Sequence, residues 1–158
     1  MPQVFTADQI FQIALELEET GQIFYEALAI ACQQQRVAAL CRRLARDESN
    51  HYRTFDQMRR RLAGGPAAHP LEVQQQESVQ ALINERVIPS PQAARELAAK
   101  GGLAETLDLA VKLEKDTVRL YQEMAAAVDS EDARAVRQII AEEQNHVQEL
   151  TNARHNLH

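Results

Sequence analysis

Two short patterns of chemically capable residues recur along this chain of 158 residues. Glu48 precedes His51 by three positions, and Glu143 precedes His146 by three. On a helix, residues i and i+3 share a face, so each pair can direct a carboxylate and an imidazole at one point. Glu18 is followed seven residues later by Tyr25, and Glu114 seven residues later by Tyr121. Two of the three tyrosines and two of the five histidines therefore hold matching places in the two halves. The chain reads as an internal repeat: Glu-x6-Tyr, then 22 or 21 intervening residues, then Glu-x2-His.

The neighbours of these glutamates put them on apolar stripes. At about 100° per residue, Ile10, Ala14, Leu17, Gly21, Phe24, Tyr25 and Leu28 form one stripe with Glu18 inside it, whereas Glu16, Glu19 and Glu26 point away. Leu109, Ala110, Leu113, Thr117, Leu120, Tyr121 and Met124 enclose Glu114 in the same manner. Leu40, Leu44, Phe55, Met58 and Leu62 share a stripe with Glu48 and His51; Ile139, Leu150 and Ala153 share one with Glu143 and His146. A lone stripe glutamate is ordinarily a boundary residue whose charged end reaches water. Four such carboxylates gathered in a dry core must take up protons or be neutralised by cations. Two divalent metals balance four charges, and four carboxylates with two imidazoles in a helical bundle are the ligand set of di-iron or di-manganese carboxylate sites.

The elements that must position these residues are legible from punctuation. Four of five glycines form the pairs Gly64-Gly65 and Gly101-Gly102, and Pro66, Pro70, Pro89 and Pro91 lie between them. Two long helical patterns precede that interval, Thr6 to Cys32 and Arg36 to Leu62, and two follow it, Leu103 to Val128 and Glu131 to Leu157. Thr6 with Gln9 forms a capping box for the first long helix, and Asp129 or Ser130 can cap the fourth. Short turns make each pair an antiparallel hairpin, and each helix is about 40 Å long at ~1.5 Å per residue. The marked glutamates each lie about a dozen residues into their helices, which brings all four together near mid-height. The expected fold is all-α: a single domain over residues 1–158, with hairpins at 6–62 and 103–157 and a long crossover over 63–102. Short helices near Glu72–Arg86 and Gln92–Lys100 fit within the crossover.

Composition bounds the remaining possibilities. The chain is 45% hydrophobic and 25% charged, with 4% aromatic residues and no Trp, which suits one soluble helical domain. A net charge of -6 repels polyanions and disfavours nucleic acid as a partner. No stretch approaches the roughly 18 apolar residues of a membrane span, and Met1–Thr6 lacks a signal-peptide pattern, so a cytoplasmic location is expected. Cys32 and Cys41, nine residues apart, form neither a disulfide framework nor a Cys-x-x-Cys site and read as reduced core thiols. Eight of the 17 basic residues lie between Arg36 and Arg61, a stripe that reads as a solvated face paired with acidic neighbours or as a surface for nucleic acid or an acidic partner. His69, His155 and His158 read as exposed. A homodimer, with exchanged hairpins as one form, suits the Ala-rich helix faces.

The segments from Ala14 to Tyr25, Leu44 to His51, Leu113 to Tyr121 and Ile140 to His146 resemble the rubrerythrin branch of the ferritin-like superfamily. The resemblance covers both hairpins. It implies a ferritin-like four-helix bundle holding two iron ions, or manganese or zinc in their place. By it, Glu48 and Glu143 bridge the metals, Glu18 and Glu114 are terminal ligands, and His51 and His146 bind one metal each. Tyr25 and Tyr121 resemble hydrogen-bond donors to carboxylates. Asp47 and Glu142, directly before the bridging glutamates, are placed to accept the outer N–H of the histidine from the opposite hairpin. Rubrerythrins add a rubredoxin domain with paired Cys-x-x-Cys motifs, which these residues lack, so a rubredoxin-like external donor is expected. They also carry a further glutamate where this sequence has Thr117, which makes the ligand set similar to a bacterioferritin-type ferroxidase centre. The implied activity is an oxidoreductase reducing peroxide or O2; ferroxidase and a metal-free helical interaction module are the alternatives.

Overall fold

The segments on either side of the Gly- and Pro-rich interval form the four long helices. A computed structural model describes residues 7–62, 73–85 and 91–157. Its helices are α1 (Ala7–Ala31), α2 (Gln35–Leu62), α3 (Val73–Glu85), α4 (Pro91–Lys100), α5 (Leu103–Ala127) and α6 (Ser130–His155). Each expected long helix is present within a few residues of its expected bounds, and both crossover helices form. Thr6 of the expected capping box, Gly64-Gly65 and the prolines other than Pro91, and His69 and His158 lie outside the described residues. Among the described residues, no helix is long and apolar enough to cross a membrane.

Side-chain pairing fixes how the hairpins meet. The Tyr121 hydroxyl donates to Glu18 and the Tyr25 hydroxyl to Glu114, each at 2.5 Å. The partner number falls as the residue number rises, so α1 and α5 run antiparallel. Between α2 and α6, Asp47 meets His146, His51 meets Glu142 and Arg61 meets Asp132, again in antiparallel register. Because α1 opposes both α2 and α5, α5 runs parallel to α2. The chain between α2 and α5 must therefore return along the length of the bundle, a distance of about 40 Å. On that return α4 packs against α1, and α3 against α5.

The apolar stripes close into two clusters, one toward each end of the bundle. One gathers Phe11, Phe55, Met58, Leu120, Met124 and Val136 and takes in Val79 from α3. The other gathers Phe24, Leu28, Cys41, Leu44, Leu107 and Leu150. Both cysteines are free. Cys41 is fully buried, and burial pushes its thiol up to about 12. Cys32 departs from the expectation of a core thiol: it follows the end of α1, is only partly buried, and turns its sulfur toward the Gln34 carbonyl at 3.5 Å. His155 is exposed, as expected.

Local chemistry sets the helix ends. A Cβ on Gly101 would approach the Leu97 carbonyl oxygen to 2.6 Å, so the sharp passage from α4 to α5 requires glycine there. Asp129, rather than Ser130, caps α6, its carboxylate accepting from the Asp132 N–H at 2.8 Å. Asp129→Ala is expected to cost about 1 kcal/mol, seen as a fall of roughly 2–4 °C in the thermal midpoint, whereas Ser130→Ala leaves it nearly unchanged. Thermal melts of the two variants check this assignment.

Candidate metal centre

Between the two apolar clusters, the four long helices each contribute one glutamate to a single buried cross-section. Glu18 comes from α1, Glu48 and His51 from α2, Glu114 from α5, and Glu143 and His146 from α6; all six are buried. Their ligating atoms fall into two groups, each with its atoms within 4.8 Å of one another: Glu18, Glu48, His51 and Glu143, and Glu48, Glu114, Glu143 and His146. Glu48 and Glu143 belong to both groups. The imidazoles stack with centroids 5.9 Å apart, and each turns Nδ1 inward, His51 toward Glu143 at 3.1 Å and His146 toward Glu143 at 2.8 Å. The Nδ1 of His146 also lies 3.3 Å from Glu48, and the Nδ1 of His51 lies 3.6 Å from Glu18.

The residues around the cluster hold it in that orientation. His51 Nε2 donates to Glu142 at 2.6 Å, and His146 Nε2 donates to Asp47 at 3.0 Å. Each contact crosses from one hairpin to the other, as expected from the positions of Asp47 and Glu142. A neutral ring that donates from Nε2 presents the Nδ1 lone pair to the centre, the form a metal requires. The side chains of Glu142 and Asp47 are 47% and 29% exposed, so their outer ends meet solvent. Tyr25 and Tyr121 also bond across the hairpins, to Glu114 and Glu18. Burial, reinforced by the nearby carboxylates, raises both phenols well above their usual range and keeps them donors.

The electrostatics test whether these side chains fit a pair of cations. Burial holds the carboxyls of Glu18, Glu48 and Glu114 well above the usual range, and Glu143 reinforces the effect. For Glu143 itself, burial is outweighed by hydrogen bonds from His146 and His51, and its carboxyl falls below the usual range. Burial opposes charge on the imidazoles, yet their bonds to Glu143 bring His51 up to about 9 and His146 up to about 10. Without metal, burial thus favours the protonated forms of Glu18, Glu48 and Glu114, and Glu143 favours charge on both histidines. Even so, Glu18 Oε2 and Glu48 Oε1 are buried without a hydrogen-bond partner. Inward-facing acceptors without donors are what a cation pair would satisfy, and two divalent ions match four carboxylates in charge. The donor set therefore fits two metal ions.

Beside the cluster lies a cavity of about 30 Å³ between α1 and α5, bordered by Gly21, Thr117, Glu48 and Glu114. Sequence periodicity placed Gly21 and Thr117 on the stripes but gave no sign of space between them. The only available signal was that the third residue after Glu18 and after Glu114 is small in both halves. The Arg-rich stripe of α2 is partly neutralised by distant acids: Arg43 pairs with Glu149, Arg59 with Asp8 at 2.9 Å and Arg61 with Asp132 at 2.7 Å.

These proton affinities set the pH dependence of stability. The two histidines have folded values above their ordinary 6.5, so their stabilisation is complete at lower pH and lost as pH rises through about 9 to 10. Glu18, Glu48 and Glu114 act in the same direction, because unfolding lets them ionise at neutral pH. The metal-free protein should therefore melt lower as pH rises from about 5 to 9. Metal must displace those protons, so the gap between metal-loaded and metal-free melting temperatures should widen over the same range. Calorimetric scans of both forms check this; a gap independent of pH contradicts it.

A family model for rubrerythrin matches residues 9–153. A crystal structure of a ferritin-like diiron-carboxylate protein from Thermotoga maritima superposes with a TM-score of 0.76 at 24% identity, covering 98% of this chain and 97% of that one. That likeness shows a shared fold. No curated protein sequence matches the chain. The match to the family model spans both hairpins and every residue of the buried cluster, and on it the chain belongs to the rubrerythrin family.

Proposed function

We propose that this chain is a di-iron oxidoreductase that reduces peroxide or O2 by two electrons. The observation that supports it best is the division of the ligating atoms into two overlapping groups with Glu48 and Glu143 in common. Glu18 and His51 would hold one metal, Glu114 and His146 the other, and Glu48 and Glu143 both. Two ferrous ions held there would supply, on becoming ferric, the two electrons that convert peroxide and two protons to two waters, or O2 and two protons to peroxide. Manganese or zinc would suit the same donors.

The protein's own contribution is orientation and exclusion of water. Asp47 and Glu142 hold the histidine rings, Tyr25 and Tyr121 hold Glu114 and Glu18, and the apolar clusters seal the cross-section from both ends. Thr117 carries no carboxylate, so that position adds no further ligand to the six side chains. The two cysteines among these 158 residues form no Cys-x-x-Cys pair, so the electrons for repeated turnover would come from a donor outside these residues, such as a rubredoxin-like protein.

A ferroxidase is the second reading, favoured by Thr117 and the four-glutamate, two-histidine set. Anaerobic stopped-flow mixing of the di-Fe(II) protein with peroxide, and separately with O2, distinguishes the two. Rapid oxidation of both irons by one equivalent of peroxide is expected. Equal or faster oxidation by O2 with ferric oxide accumulating under excess Fe(II) makes ferroxidase the better name, and inertness to both oxidants defeats the redox reading. Asp47→Asn and Glu142→Gln should each weaken metal binding about 10–100-fold without unfolding the bundle, because each loosens a ligand ring. Metal titration monitored with circular dichroism checks this.

A further inference from the structure

We propose that the cavity between α1 and α5 is the entry port for the oxidant, and that Gly21 and Thr117 set its size limit. The port would admit hydrogen peroxide or O2 and exclude organic hydroperoxides. The inference rests on the redox reading above and adds to it a substrate class.

The internal repeat places the two residues. Gly21 is three positions after Glu18, and Thr117 three after Glu114, so each lies on the same helix face as its glutamate. With α1 and α5 antiparallel, Gly21 and Thr117 come to border one cavity. Its volume of about 30 Å³ compares with roughly 10–15 Å³ for a single water. Two small heavy atoms fill it. Leu17, Phe24 and Leu113 make apolar walls, and Glu48 and Glu114 lie at its inner side. Thr20 and Tyr25 complete the lining; the Thr117 hydroxyl is already bonded to the Leu113 carbonyl at 2.9 Å, and the Tyr25 hydroxyl to Glu114.

Gly21 has a second constraint. A Cβ there would stand 2.6 Å from Glu48 Oε2, so a side chain at 21 would both fill the port and displace a carboxylate common to both ligand groups. The wider hollows, around Lys115 and Arg119 and around Ile30 and Arg95, touch none of the six cluster residues. They offer no comparable approach.

The test separates access from chemistry. Di-Fe(II) protein is mixed with hydrogen peroxide or with tert-butyl hydroperoxide, and the di-Fe(III) form is titrated with azide, whose binding is read by its charge-transfer absorbance without turnover. Hydrogen peroxide should oxidise the wild-type protein about 100-fold faster than the bulky hydroperoxide, and Thr117→Ala should narrow that ratio at least about tenfold. Thr117→Leu, still holding two irons, should slow azide association at least about tenfold. Wild-type rates within about threefold for the two hydroperoxides, or a di-iron Thr117→Leu variant that takes up azide at the wild-type rate, would overturn the proposal. Should Thr117→Leu fail to hold two irons, the Thr117→Ala ratio decides. If the di-Fe(II) protein reacts with neither hydroperoxide, the redox reading fails, and azide association in the wild type, Thr117→Ala and Thr117→Leu decides the port alone.

Discussion

Four carboxylates in one dry cross-section of a helical bundle repel one another, and no arrangement of apolar side chains around them can relieve that repulsion. The structure is organised around its relief. Without metal, burial pushes Glu18, Glu48 and Glu114 toward their neutral forms, and Glu143 draws protons to the two imidazoles that flank it. With two divalent cations, the same side chains become four carboxylates and two neutral imidazoles around four positive charges. Metal binding to these side chains would release protons.

Because the two halves repeat, every device appears twice. A tyrosine from one hairpin bonds a glutamate of the other, and an acid from one hairpin bonds a histidine of the other. These contacts cross the seam between the hairpins, so the interactions that orient the ligands also join the bundle. The antiparallel α1 and α5 that reciprocal tyrosine contacts demand also require a chain return along the bundle, and α4 uses that return to cover α1. The repeat is imperfect where access to the cluster arises: Gly21 in one half faces Thr117 in the other.

Much of this was legible in the sequence because helical periodicity converts spacing into direction. Glu18 and Glu114 stood out as charges inside apolar stripes, and the i, i+3 spacing tied each histidine to its glutamate. The roles of Asp47 and Glu142 followed from their places beside Glu48 and Glu143 together with the family resemblance. Pairings between distant segments were not legible: Arg43 with Glu149, or Arg61 with Asp132, depends on register across the α2–α6 seam, which no local pattern encodes. The choice of Asp129 over Ser130 as the α6 cap turned on one residue of helix phase, and Cys32 is only partly buried at the edge of its cluster because α1 ends just before it. The cavity beside Glu48 depends on the distance between two helices, whereas sequence shows only that both bordering residues are small.

The central claim is that the six side chains hold two metal ions together. The most direct measurement is the iron content of the protein reconstituted anaerobically with Fe(II), freed of excess metal, and compared with Glu48→Gln. Two irons per chain in the wild type, and a loss of both rather than one in the variant, are predicted because Glu48 belongs to both ligand groups. Less than one iron per wild-type chain would contradict the claim.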